Sequence, residues 1–303
     1  MPRRPDVKRD DQTGSEVSGN KVRKLEFAVQ EALDQNCDTL ITCGGIQSNH
    51  ARATAAVAAK LGMSSYLVLN SQGQEDIDGN YFLDRLFGAN IRLITPKEFE
   101  ENRMGIMEDI QEKLAKENKK AYIIPLGASN GIGTFGYFKA MDEIIVQEKE
   151  MQIQFDAICI SVGSGGTYAG LSLASKLLNH QAKIYGFNVS SDAVYFRNQI
   201  EAILYEACDY LDCSVEIDKS DIHIIDGYVG KGYAVSQPHE LEFIKEIAQL
   251  EGFILDPVYT GKGFYGMVNE IKKGTLSHHK NILFIHTGGM FGVFPQKNLF
   301  SFE

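Results

Sequence analysis

Apolar residues along this chain fall into two alternating patterns. Short apolar runs bounded by polar or glycine-containing turns predict strands at 39–43, 65–69, 91–95, 121–124, 157–162, 183–189, 222–225 and 282–286. Between them, apolar residues spaced three or four apart predict helices near 48–61, 79–87, 98–116, 134–149, 166–179, 237–250 and 261–273. Strands alternating with helices imply βαβ units, hence a parallel sheet with its ligand-facing edge at the strand carboxyl ends. The polar stretch QEKEMQIQ around 145–154 reads as a link between two halves, and VKRDDQTG near the start reads as a strand end running into a loop. So little precedes that strand end that a longer natural N-terminus is expected.

A further helix begins near Gly19-Asn20. Its apolar positions Leu25, Ala28, Val29, Ala32 and Leu33 form one stripe, and one turn back from Leu25 the stripe lands on Lys21. Arg23 falls on the opposite face and Lys24 at the border, so Lys21 is the basic residue expected to point inward. A buried lysine is costly unless its charge is used or neutralised. Snorkelling past the helix end is the plain reading; covalent bonding to an aldehyde is the chemical one.

Three strand–loop–helix junctions carry glycine and short polar residues. Cys43-Gly44-Gly45-Ile46-Gln47-Ser48-Asn49-His50 opens an alanine-rich helix, where backbone N–H groups face an anion. Gly163, Ser164, Gly165, Gly166 and Thr167 form the second loop. It lacks the last glycine of a dinucleotide fingerprint, which is Tyr168, and the Gly-Lys of a Walker loop. A single phosphate suits it better than a nucleotide. The third, His286-Thr287-Gly288-Gly289, ends the last predicted strand. A single-phosphate loop together with an inward lysine suggests pyridoxal phosphate.

Composition narrows the classes. The chain has 303 residues, 44 % apolar and 23 % charged, with a formal net charge of −10, which argues against non-specific nucleic-acid binding and against an anionic membrane surface. No apolar run is long enough for a membrane span. Five cysteines, Cys37, Cys43, Cys159, Cys208 and Cys213, show neither disulfide nor metal spacing; a reduced, cytoplasmic setting is the simplest expectation, although an organelle signal on a longer N-terminus would change it. His278-His279 reads as a solvated pair rather than a metal site.

The segments GNKVRKLEF, CDTLITCGGIQSNHARATAAVAAKLG, DGNYFLDRLFGA, SVGSGGTYAGL, LDPVYTGKGFYGM and FIHTGGMFG together resemble the pyridoxal-phosphate family containing D-cysteine desulfhydrase and 1-aminocyclopropane-1-carboxylate deaminase. The resemblance runs from about residue 8 to the end. It implies the fold of the tryptophan synthase β subunit: two α/β domains, each an open twisted, mostly parallel sheet with helices on both faces. The smaller would span 36–138, the larger 1–35 with 139–303, with the ligand between them. It also implies a homodimer.

By the same resemblance Lys21 is the Schiff-base lysine. Ser48, Asn49 and His50 hold the substrate carboxylate, with Asn49 also near the pyridine hydroxyl. Gly163 to Thr167 hold the phosphate, and Tyr233 and Tyr259 flank substrate and cofactor. Thr260 and Thr287 match the desulfhydrase pattern, where deaminases carry Glu and Leu. A threonine can satisfy the pyridine nitrogen without adding charge, which suits expulsion of a thiolate, already a good leaving group. The implied reaction is β-elimination of D-cysteine to pyruvate, hydrogen sulfide and ammonia, with the Cα proton taken by Lys21 or Tyr259. Deamination of aminocyclopropane carboxylate, or elimination from cysteate or chloroalanine, is the first alternative. An inactive, truncated cofactor-binding homologue is the second.

Overall fold

Two parallel sheets organise the chain. The computed structural model describes residues 5–302 apart from 74 and 217. One sheet has five strands: β1 (Asp6–Lys8), β6 (Ala157–Val162), β7 (Lys183–Asn188), β8 (His223–Ile225) and β9 (Ile282–Ile285), in the order β1-β9-β6-β7-β8. The other contains β2 (Thr39–Gly45), β3 (Ser64–Asn70), β4 (Asn90–Ile94) and β5 (Ala121–Ile123), in the order β4-β3-β2-β5. Every pairing in both is parallel. The strand end expected near Val7 is β1, which pairs with β9 at the edge of the larger sheet.

Alternation along the central strands explains why helices cover both faces. In β6, Ile158, Ile160 and Val162 join one apolar cluster while Ala157 and Cys159 join another; in β9, Leu283 and Ile285 divide from Ile282 and Phe284 in the same way. The first cluster is closed by α5 (Gly131–Met151), α6 (Gly166–Leu177) and α7 (Ala193–Leu211), the second by α8 (Pro238–Glu251) and α9 (Thr260–Lys273). Strands buried on both faces read as continuous apolar runs, which is why the sequence marks them well. The smaller sheet packs Leu67 and Leu69 against α2 (Asn49–Lys60), and Ile41 and Val68 against α4 (Pro96–Lys116). Helix α3 (Gly79–Leu86) completes that half, and α1 (Asn20–Asp34) packs on α5 and α2.

Three expectations change. Residues 145–151 are not a link but the last turns of α5, which ends at Gln152 in a left-handed conformation (φ 54°). There the polar Glu148 is buried and accepts from the Phe155 backbone N–H at 2.7 Å and meets His180 at 2.9 Å. Helix α7 has no counterpart in the sequence reading. His279 is buried with its Nε2 2.9 Å from the Tyr185 hydroxyl, so only His278 is solvated.

Four of the five cysteines are buried, Cys213 is half-buried, and all five are free thiols. Among the described residues no His, Cys, Asp and Glu cluster is placed to hold a metal, and no helix is long and apolar enough to cross a membrane.

Candidate active site

Strand carboxyl ends from both sheets face one cavity of about 360 Å³. Lys21, Ser48, Asn49, His50, Gly163, Ser164, Gly165, Thr167, Tyr233, Tyr259 and Thr287 line it. Gly166 and Thr260 lie just behind its wall. The Gly166 N–H donates to Ser129 Oγ at 3.3 Å. The Thr260 hydroxyl donates to Asp256 Oδ1 and accepts from the Asp256 N–H, both at 2.8 Å, so its proton is committed to a carboxylate and one lone pair remains. Thr287 remains on the wall.

The turn into α1 docks on the third glycine loop. The Asn20 N–H donates to the Thr287 carbonyl at 3.0 Å, and Gly19 adopts φ 78°, where a Cβ would lie 2.5 Å from that same carbonyl oxygen. Only glycine makes this approach without displacement. Lys21 then projects into the cavity. Its Nζ reaches the Gly127 carbonyl at 3.4 Å, and burial lowers its pKa from 10.5 to about 8. Gly127 itself sits at φ 69°, with an added Cβ 3.2 Å from Lys21 Nζ and 2.6 Å from Ser164 Oγ. The amine, the glycine-rich loop at Ser164 and the Gly127 turn therefore meet at one point.

The side chain placed at the stripe's border is the deeper one. Lys24 is fully buried, donating to the Gly127 carbonyl at 2.7 Å and to Ser129 Oγ at 2.8 Å; burial, then the nearby Lys21 charge, lowers its pKa. Leu33 is exposed instead, so the buried stripe is rotated by about one position from the expected one. Arg23 does point away from the cavity, but into an ion-pair network. Its guanidinium is bidentate to Asp10 (2.9 and 2.9 Å) and to Glu143 (2.7 and 2.8 Å). Asp10 also accepts from the Tyr137 hydroxyl at 2.7 Å.

Ser48 caps α2 by accepting from the Ala51 N–H at 3.1 Å, which aims the first turn of that helix at the cavity. His50 lies beneath it, 2.8 Å from Thr42 Oγ1. Burial and the charges of Lys21 and Lys24 hold the imidazole neutral. Asn49 is fixed from behind: Asn80 Nδ2 donates to Asn49 Oδ1 at 3.0 Å, and Asn80 Oδ1 accepts from Arg52 Nε at 3.2 Å. Arginine only donates, so the polarity of this chain is set and Asn49 presents its NH2 to the cavity. Arg52 is buried against the Phe291 ring and contacts the Glu16 carbonyl. Beside it the Asp84 carboxyl finds no hydrogen-bond partner among the described residues, and burial raises its pKa to about 8.

On the facing wall the second loop opens α6, with Gly165 at φ 85°. Ser164 Oγ lies 2.7 Å from Ser129 Oγ, and Thr167 Oγ1 accepts from Asn20 Nδ2 at 3.2 Å. The Tyr233 and Tyr259 hydroxyls contact one another, with ring centroids 5.8 Å apart. Burial, then proximity to Tyr233, raises the Tyr259 pKa well above 10. Asp256 accepts from the N–H groups of Val258, Tyr259 and Thr260, and burial raises its pKa to about 6.

Asn20, Lys24, Ser129, Arg52 and Asn80 escaped the sequence reading. PLGASNGIGTFG, which supplies Gly127 and Ser129, is as rich in glycine and short polar residues as the three strand–loop–helix junctions above. Asn80 and Arg52 left no local signal, since their role depends on α3 packing against α2.

A half-buried amine with a lowered pKa, a cradle of hydroxyls and N–H groups at a helix N-terminus, and a donor amide between them fit an aldehyde that carries one phosphate. The comparisons with known proteins agree. Residues 7–288 match the model described as pyridoxal-phosphate dependent enzyme. The bifunctional D-cysteine desulfhydrase/1-aminocyclopropane-1-carboxylate deaminase of Arabidopsis thaliana, a mitochondrial protein by its name, is 46 % identical over 96 % of this chain and 73 % of its own. The D-cysteine desulfhydrase of Klebsiella pneumoniae is 36 % identical over 95 % of this chain and 87 % of its own. A crystal structure of an ACC deaminase homologue is 40 % identical and superposes with a TM-score of 0.88 over 97 % of this chain and 87 % of that one. A threonine deaminase, 18 % identical with a TM-score of 0.67 over 93 % and 86 %, shares the fold. With the family model matched over residues 7–288 and these relatives covering almost its whole length, this chain belongs to the pyridoxal-phosphate dependent enzymes.

Proposed function

We propose that the protein is a carbon–sulfur lyase that converts D-cysteine and water to pyruvate, hydrogen sulfide and ammonia. The observation that carries this reading is the Lys21 amine, held at a pKa of about 8 and facing a phosphate cradle in the same cavity. Bound pyridoxal phosphate supplies the electron sink for a negative charge at Cα. The loop from Gly163 to Thr167, at the N-terminus of α6, holds the phosphate. Ser48, Asn49 and the first N–H groups of α2 hold the substrate carboxylate; His50, being neutral, adds no charge there.

Between the two bases considered, the electrostatics favour Lys21. At neutral pH a useful fraction of its amine is free to take the Cα proton, whereas the Tyr259 hydroxyl keeps its proton and acts as a donor. The C–S electrons leave with sulfur, and water hydrolyses the released aminoacrylate to pyruvate and ammonia.

Ring opening of 1-aminocyclopropane-1-carboxylate is the second reading, supported by the bifunctional name of the Arabidopsis relative. The division into 36–138 and 1–35 with 139–303, a homodimer and a cytoplasmic setting belong to the same proposal. The free thiols support a reducing compartment.

One experiment separates the readings. The purified holoenzyme is given D-cysteine, L-cysteine and aminocyclopropane carboxylate, and sulfide, pyruvate and 2-oxobutyrate are measured. Sulfide and pyruvate from D-cysteine, lost in Tyr259→Phe by tenfold or more without a shift of the lower pH limb, are expected. Turnover of L-cysteine alone, or of no substrate with cofactor bound, overturns the proposal.

A further inference from the structure

Lys262 lies one turn into α9, almost fully buried, and its ammonium is directed at backbone rather than at a carboxylate. Nζ donates to the carbonyls of Val229 at 2.6 Å, Gly232 at 2.8 Å and Val235 at 3.2 Å. All three belong to the loop between β8 and α8, which carries Tyr233. The loop reaches this shape through left-handed residues: Gly230 at φ 68°, Gly232 at φ 142° and Ala234 at φ 59°. These turns bring carbonyls three residues apart to one side of the loop, so three oxygen dipoles point at one place. Such a cluster repels itself unless a cation sits at its centre.

The same loop lays Tyr233 across the cavity. Its hydroxyl contacts that of Tyr259, and its ring would lie 3.4 Å from a Cβ on Gly45, at the end of β2. Tyr259 directly precedes α9, the helix that carries Lys262. Helix α9 therefore presents one tyrosine itself and fixes the other through its lysine. Burial lowers the Lys262 pKa, while Glu240 and Asp256, the acids whose charge reaches the amine, act the other way and favour its charged form.

We propose that the Lys262 ammonium is a built-in monovalent cation that holds the 229–235 carbonyls in convergence and thereby positions Tyr233 over the active cavity. An ammonium and a potassium ion both accept a shell of carbonyl oxygens, so the chain carries covalently what a free cation would otherwise supply. Lys262 is a positioning residue and touches no substrate.

The test uses the holoenzyme and reads loop order by the rate of proteolysis at Lys231 and Tyr233, which does not depend on which substrate is turned over. In Lys262→Met, cleavage is expected to rise tenfold or more, and kcat/KM for the substrate identified above to fall by a similar factor. In Lys262→Ala, the space left by the side chain admits an ion. Ammonium or potassium chloride is expected to restore protection, while tetramethylammonium chloride at equal ionic strength is not, and the parent is expected to be indifferent to all three. Unchanged protection in Lys262→Met overturns the proposal, as does a loss in Lys262→Ala that no cation repairs. If Lys262→Ala does not fold, Lys262→Met decides.

Discussion

Removing the Lys21 amine is expected to make the cofactor-free protein more stable. Lys21 is half-buried without a carboxylate partner, and desolvation lowers its pKa from 10.5 to about 8 on folding. The unfolded chain therefore binds the proton more tightly than the folded one. The resulting penalty amounts to about 3 kcal/mol at pH 7, at about 1.4 kcal/mol per tenfold change in proton affinity. It is fully present below pH 8 and is relieved as pH rises from 8 towards 10.5, leaving under about 1 kcal/mol at pH 10. Lys21→Met keeps the length of the side chain and removes the charge. Urea denaturation of the cofactor-free forms at pH 7 and pH 10 measures the difference. The variant should exceed the parent by about 2–3 kcal/mol at pH 7, and most of the gain should vanish at pH 10. The nearby Lys24 adds to it, since the Lys21 charge also disfavours the Lys24 ammonium. Equal stabilities at pH 7, or a gain of the same size at both pH values, would refute the argument that desolvation depresses this amine.

Two further perturbations probe the groups behind the cavity. Asn80→Ala removes the donor that orients Asn49 and leaves Arg52 Nε without its acceptor; a loss of about 2 kcal/mol in unfolding free energy and at least tenfold weaker pyridoxal phosphate binding, by fluorescence titration, are expected. Arg23→Ala strands the buried Asp10 carboxylate and should cost about 3–5 kcal/mol in chemical denaturation. In the parent, Arg23 holds the Glu143 carboxyl at about 2, so that part of the network is complete above about pH 4.5 and is lost as pH falls through 2.

The sequence displayed most of the architecture because parallel strands buried on both faces leave unbroken apolar runs, and because the loops at their ends use glycine and hydroxyl residues with few other uses. Helix α7 shows the limit. Its buried residues Phe196, Ile200, Ile203, Leu204 and Ala207 keep a helical period, but exposed Val194, Tyr195, Tyr205 and Tyr210 blur the contrast between faces. Lys24 shows another. A lysine at the edge of a stripe looks solvated until a distant turn, here Gly127 and Ser129, supplies a carbonyl and a hydroxyl. Thr260 shows a third. Its motif identified the position, while its hydroxyl was already committed to Asp256, a residue four positions earlier whose burial no local pattern revealed.

The buried thiols bear on self-inactivation. In the proposed elimination an unsaturated fragment forms that is electrophilic at its β carbon for as long as it stays conjugated with the cofactor, and Cys43 lies on β2 two residues before Gly45 at the cavity wall. Alkylation requires a thiolate. Burial raises the Cys43 pKa to about 12, and the same cause raises that of Cys159 on the neighbouring sheet, so both sulfurs remain protonated at neutral pH. The enzyme can carry cysteine near its own reactive product because its fold withholds the nucleophile.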